Sequence, residues 1–253
     1  MHKIAIYGKG GIGKSTIAAN VALALAKKGL TVMQIGCDPK ADSTASLHSG
    51  SRLETVLSAI RSRGTEVSLN DIVLRGAAGV LCVETGGPIP GSGCAGRGII
   101  VALETLERLG AYEQYKPDVI LYDVLGDVVC GGFSMPMRNG YADVVYIVTS
   151  GEKMALYAAG NIAMAVKNFL GRGYARLGGF ILNHRNVPCE EERVHELCED
   201  FGSKVIGELP WSRTVQEAER ASGSVMMLYP ESEMAKCYER LAETIWDRRE
   251  DME

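Results

Sequence analysis

The stretch Gly8-Lys9-Gly10-Gly11-Ile12-Gly13-Lys14-Ser15-Thr16 follows a short apolar run, Lys3 to Tyr7, and opens a helical pattern, Lys14 to Lys28. A strand that turns through glycines directly into a helix is the setting a phosphate-binding loop requires, and it restricts the chain to α/β architectures. Glycines let backbone N–H groups wrap phosphate oxygens, and the helix N-terminus adds its positive end. Lys14 is placed to reach the β- and γ-phosphates, and Ser15 to offer its hydroxyl to Mg²⁺. Further apolar runs suited to buried parallel strands lie at Thr31 to Gly36, Val80 to Val83, Val119 to Tyr122, Val144 to Thr149, Gly179 to Leu182 and Lys204 to Ile206. Helical patterns fall between most of them, at Arg97 to Leu109, Glu152 to Leu170, Glu190 to Phe201 and Glu233 to Trp246. Strand and helix in alternation predict a doubly wound, mostly parallel sheet flanked by helices, with its loops gathered at the carboxyl ends of the strands.

The chain has 253 residues, 46% hydrophobic and 23% charged, which suits one α/β domain with a full core. We expect that domain over residues 1–246, followed by a short charged tail, 247–253. A net charge of −4 with no basic run argues against nucleic acid as a partner. Met1-His2-Lys3 followed by only four apolar residues does not read as a signal peptide, and no apolar run approaches the ~20 residues of a membrane span. The expectation is a cytoplasmic protein with no membrane partner. Seven cysteines in a reducing compartment are poorly explained by disulfides, so metal or redox chemistry has to be considered.

Three acids join the phosphate loop. Asp123 ends the run Val119 to Tyr122, where an acid can hold the Mg²⁺ shell. Asp38 and Asp42 follow the neighbouring run and are placed to face the γ-phosphate. Two cysteines stand out because both sit in glycine-rich loops: Cys94 in Gly91-Ser-Gly-Cys-Ala-Gly-Arg-Gly98, and Cys130 in Gly126-Asp-Val-Val-Cys-Gly-Gly132. Loop amides can donate to thiolate and sulfide and so stabilise the charge of an iron–sulfur cluster. Two thiolates cannot complete a four-cysteine cluster, and a two-fold dimer with two from each chain supplies the count. Each cysteine taken alone is better explained as a small buried hydrophobe than as a ligand.

Lys9 is an extra lysine that the ordinary phosphate loop does not need. It resembles the signature lysine shared by nitrogenase iron proteins, chromosome-partitioning ATPases and septum-site ATPases, in which that lysine reaches the nucleotide of a facing subunit. The likeness extends through Gly36 to Thr44, Glu84 to Ile99, Tyr122 to Pro136, Arg176-Leu-Gly-Gly and Asn183-His-Arg-Asn, and so over nearly the whole chain it resembles the nitrogenase iron protein family. The resemblance implies an ATP-dependent one-electron reductase: a homodimer with one [4Fe-4S] cluster held by Cys94 and Cys130 of both subunits. MgATP would gate delivery to a larger metalloprotein, and ferredoxin or flavodoxin would supply the electron. The resemblance further implies Gly8 to Thr16 and Asp123 for phosphate and Mg²⁺, with Lys9 and Lys40 contacting phosphate across the dimer. It gives Asp38 and Asp42 to a first switch and Asp127 to the attacking water. Asn183, Pro210, Gln216 and Glu219 would border adenine, and Arg97 would dock the partner. Ala45, where nitrogenase members usually have arginine, and Pro210-Trp211-Ser212 near the adenine tilt the expectation toward a nitrogenase-like reductase.

The alternative is a partitioning or positioning ATPase, a dimerising switch without redox function. It accounts for Lys9, Lys14 and Asp123 but not for cysteines in glycine loops. An iron–sulfur scaffold ATPase would carry a compact Cys-x-x-Cys pair, which this chain lacks.

Overall fold

Buried apolar runs decide the architecture. The computed structural model describes residues 1–49, 53–87, 95–126, 136–137, 140–169 and 174–249. Among these, eight strands make one sheet: β1 (His2–Gly8), β2 (Val32–Cys37), β3 (Leu74–Arg75), β4 (Leu81–Glu84), β5 (Val119–Val124), β6 (Val144–Thr149), β7 (Arg176–Asn183) and β8 (Val205–Leu209). Their spatial order is β3-β4-β2-β5-β1-β6-β7-β8, parallel throughout except for β3, which runs antiparallel to β4. Strands β2, β5 and β6 are buried at every position, as continuous apolar runs covered on both faces must be.

The helices are α1 (Lys14–Lys27), α2 (Val56–Arg63), α3 (Leu69–Ile72), α4 (Ala95–Arg108), α5 (Ala111–Tyr115), α6 (Lys153–Phe169), α7 (Glu190–Asp200), α8 (Arg213–Arg220), α9 (Val225–Leu228) and α10 (Glu233–Asp247). They form a layer on each side of the sheet. One core joins α2, α4, α6 and α7 to it through Val56, Leu103, Ile162 and Val194. The other joins α1, α8 and α10 through Ile17, Val21, Ala218 and Leu241. Helix α1 is alanine-rich and almost wholly buried, and its small side chains let it lie close between the sheet and α10. No helix among the described residues is long and apolar enough to cross a membrane.

The doubly wound sheet follows the sequence pattern, with differences at the margins. Strand β7 begins at Arg176, three residues ahead of the expected start, because Gly178 and Gly179 hide it. A Cβ at Gly178 would come 2.5 Å from the Tyr146 ring on β6, so glycine there makes room for the tyrosine. Strand β3 has only two residues, too few to show a period. Helices α2 and α8 escape apolar periodicity because each has eight residues, yet both carry a side-chain cap. Thr55 Oγ1 accepts from Ser58 N–H, and Ser212 Oγ accepts from Thr214 N–H. Helix α10 ends at Asp247, one residue into the segment read as tail.

Candidate functional site

Strand register brings the expected phosphate residues together. Asp123 pairs with Ile6 of β1 on one side and with Gly36 of β2 on the other, and Gly36 pairs in turn with Glu84 of β4. Asp123 therefore stands at the level where the phosphate loop leaves β1, and the loop carrying Asp38 and Asp42 leaves β2 beside it. This is the carboxyl edge of the sheet, where open α/β folds place their ligands.

The phosphate loop is shaped by what its glycines leave out. A Cβ at Gly8 would come 2.5 Å from the Val148 carbonyl oxygen on β6. Gly13 sits at φ 99°, in the left-handed region, and turns the chain into α1. No side chain caps α1 and no acid lies in its first turn, so its leading N–H groups and positive end stay available to an anion. Ile12 anchors the loop in the core, and the nearly buried Lys14 folds over it, donating from Nζ to the Lys9 carbonyl at 3.4 Å. Lys9, Gly10 and Ser15 are half-buried along the same loop.

Asp123 is 2% exposed. Its Oδ2 accepts from Ser43 Oγ at 2.6 Å, while Oδ1 is buried without a hydrogen-bond partner. Burial raises its carboxyl above the usual range, against the opposing pull of the Lys14 ammonium and the nearby Ser15 and Ser43 hydroxyls. An unpaired carboxylate oxygen beside a lysine and a serine hydroxyl fits Mg²⁺ and a polyphosphate, which would supply the missing partner and favour the ionised form. Asp38 accepts from Lys40 N–H through Oδ1 at 2.9 Å, which shapes its loop, and its charge faces Asp123. Asp42 and Lys40 are exposed at the loop's outer side.

Behind this loop is a polar layer that no motif announces. Gln34 Nε2 donates to both Ser43 O and Ser43 Oγ at 3.0 Å. Glu84 Oε1 accepts from Thr44 N–H and Thr44 Oγ1, each at 2.7 Å. The Glu84 side chain lies over Gly36, where any Cβ would overlap its Oε2. An acid closing the apolar run Val80 to Val83, at the start of the stretch Glu84 to Ile99 that carries the family likeness, is the sequence signal that could have singled out Glu84.

The residues expected around adenine line one cleft of about 220 Å³, where Asn183, Pro210, Gln216 and Glu219 meet Gly13 and Trp211. Three long-range bonds tie this cleft to the phosphate loop and helix α1. Asn183 Nδ2 donates to Ile12 O at 2.7 Å, Arg185 Nη2 to Gly11 O at 2.8 Å, and Thr16 Oγ1 to Glu219 Oε1 at 2.8 Å. The role of Arg185 has no counterpart in the sequence expectations. Trp211 is 48% exposed at the rim, where an indole can cover a base. Arg97 is exposed in the first turn of α4. Cys94, Asp127 and Cys130 lie outside the described residues.

The family model described as 4Fe-4S iron sulfur cluster binding proteins, NifH/frxC family, matches residues 2–252. A nitrogenase iron protein of Methanospirillum hungatei is 54% identical over 248 residues, covering 97% of this chain and 88% of that protein. One from Methanococcus voltae is 49% identical over 250 residues, covering 98% and 90%. Among solved structures, the cell division ATPase MinD of Pyrococcus furiosus superposes with a TM-score of 0.74 at 20% identity, covering 97% of this chain and 98% of that one. A ParA family ATPase from Chlorobium tepidum gives 0.71 at 21% identity, covering 96% and 97%. These two likenesses concern the fold alone.

Proposed function

The chain belongs to the NifH/frxC family of 4Fe-4S iron sulfur cluster binding proteins, and from that premise we propose that it is an ATP-dependent one-electron reductase serving a larger metalloprotein. The observation that carries the reading within the fold is Asp123, buried at the phosphate loop with one oxygen unpaired and only seven residues before Cys130 in sequence. Seven residues span at most ~25 Å, so a group sensing Mg²⁺ and a group holding a cluster share one short segment. When bound, the cluster supplies a one-electron couple.

In this reading residues 1–246 work as one unit, and two copies form a homodimer in which Cys94 and Cys130 of each hold the shared [4Fe-4S] group. Lys14 neutralises the β- and γ-phosphates, Ser15 and Asp123 take the Mg²⁺ shell, and the loop amides from Gly8 to Thr16 hold the remaining oxygens. Lys9 and the exposed Lys40 reach the facing subunit's nucleotide. Asp38 and Asp42 sense the γ-phosphate, and Asp127 holds the proton of the attacking water. Asn183, Pro210, Gln216 and Glu219 seat the base, with Trp211 over it. Arg97 meets an acidic face of the acceptor, a nitrogenase or nitrogenase-like catalytic metalloprotein, and ferredoxin or flavodoxin returns the electron.

A positioning ATPase without redox function shares this fold, and the relatives at 49–54% identity favour the reductase over it. Anaerobic purification separates the two. The reductase should be brown, carry iron and sulfide in a four-to-four ratio per dimer, and expose its iron to a chelator only with MgATP. A colourless protein that hydrolyses ATP would refute it.

A further inference from the structure

Glu84 closes β4 at 1% exposure, and nothing in the nucleotide or electron chemistry above uses it. A buried carboxyl is costly unless its lone pairs are met, and here only one oxygen has partners. Oε1 takes both the N–H and the hydroxyl of Thr44, whereas Oε2 has no hydrogen-bond partner. The loop 38–44 is therefore fastened to the end of β4 as well as to its own strand. That end is itself tied in place: Thr85 N–H donates to Gly36 O at 2.9 Å, and Thr85 O accepts from Leu57 N–H at 3.1 Å. Ten residues further along the chain is Cys94.

We infer that Glu84 is a positioning residue that holds loop 38–44 to the end of β4 through Thr44, so that a shift of the loop at the γ-phosphate is passed into the segment leading to Cys94. This route is separate from the one running from Asp123 to Cys130, and its redox consequence rests on the reductase reading. Gly36 supports it, since a glycine is the residue that admits the Glu84 side chain between β2 and the loop. The titratable groups facing Glu84 are Asp42 from the loop, Asp123 from β5, Cys37 from β2 and Cys82 from its own strand, and His48 Nε2 lies 3.5 Å from Thr44 Oγ1. Burial pushes Glu84 up to about 7, with Asp123 and Asp42 adding to the rise and the two Thr44 donors opposing it. Hydrogen bonds to an ionised acceptor are the stronger ones, so the tie tightens above neutral pH and slackens below it.

Amide hydrogen exchange of the full-length protein with and without MgATP tests this in peptides spanning residues 38–49 and 84–99. In the wild type MgATP should alter exchange in both, and the response in 84–99, corrected for intrinsic rates, should be roughly fivefold larger at pH 8 than at pH 6, the factor that goes with one hydrogen bond changing from a neutral to a charged acceptor. Glu84→Ala should keep the response in 38–49 and lose it in 84–99. Glu84→Gln retains an acceptor that cannot ionise, and its response in 84–99 should be the same at both pH values. Thr44→Val, which removes only the hydroxyl, should weaken the response in 84–99 severalfold and covers the case of an unfolded Glu84→Ala. An undiminished response in 84–99 for Thr44→Val, or for a folded Glu84→Ala, overturns the proposal. The measurement needs no cluster, so an iron-free wild type would refute the reductase reading while exchange still decides the role of Glu84.

Discussion

Gly36→Ala is the sharpest test of how the switch loop is built. The added methyl would overlap Glu84 Oε2 and lie 2.6 Å from Ser43 Cβ. Neither neighbour can yield cheaply. Ser43 is held by Asp123 and Gln34, and Glu84 by Thr44. Overpacking a rigid core costs about 1–3 kcal/mol, and losing hydrogen bonds to a charged acceptor about 1.5–3 kcal/mol. The two are alternative ways of relieving one clash, so we expect a loss of about 2–4 kcal/mol, which lowers Tm by about 4–16 °C in a domain of this size. Because relief displaces loop 38–44, MgATP affinity should fall about tenfold, worth about 1.4 kcal/mol. Gly160→Ala, inside α6, is the control: its Cβ would meet Leu197 Cδ1 of α7 at 3.6 Å, an ordinary contact. That change should stabilise by about 0.5–1 kcal/mol and leave nucleotide binding alone. Calorimetry with nucleotide titration reads both variants. Gly36→Ala within about 0.5 kcal/mol of wild type and with unchanged affinity would refute the packing argument.

Lys14→Gln removes the charge that meets the β- and γ-phosphates, so the variant should keep its iron yet lose MgATP-dependent exposure to a chelator, measured as the rate of chelate formation. Cys94→Ser and Cys130→Ser should each give a folded protein that binds MgATP but carries no cluster, and a full iron complement in either would refute the ligand assignment. Trp211→Phe should abolish most of the nucleotide-dependent change in tryptophan fluorescence, since the chain's other tryptophan, Trp246, sits in α10 beneath Arg249. A Glu84 carboxyl raised to about 7 keeps its proton in the folded state where the unfolded chain has lost it, so wild-type stability should fall as pH rises from about 4.5 to about 7. Glu84→Gln should remove up to about 3 kcal/mol of that fall, read from urea unfolding at a series of pH values.

The phosphate loop was legible because its chemistry is contiguous: glycines, lysine and serine act within nine residues, and a strand before and a helix after announce them. Asp123, Asp38 and Asp42 were legible for a related reason, since an acid ending an apolar run must emerge at the carboxyl edge of a parallel sheet. The cysteine pair was marked by its glycine-rich loops, while the expected adenine residues came from likeness to a family, and the fold gathers the latter into one cleft. Other features depended on which strands lie side by side. Ser43 meets Asp123 across 80 positions of sequence, Thr44 meets Glu84 across 40, and Asn183 meets the phosphate loop across 171. Apolar periodicity states that a strand exists and which faces it buries, but it carries no record of its neighbours or of the register between them. The row Ile6, Asp123, Gly36, Glu84 exists only once β1, β5, β2 and β4 have paired, and that pairing is set by how the two helical layers pack on the sheet.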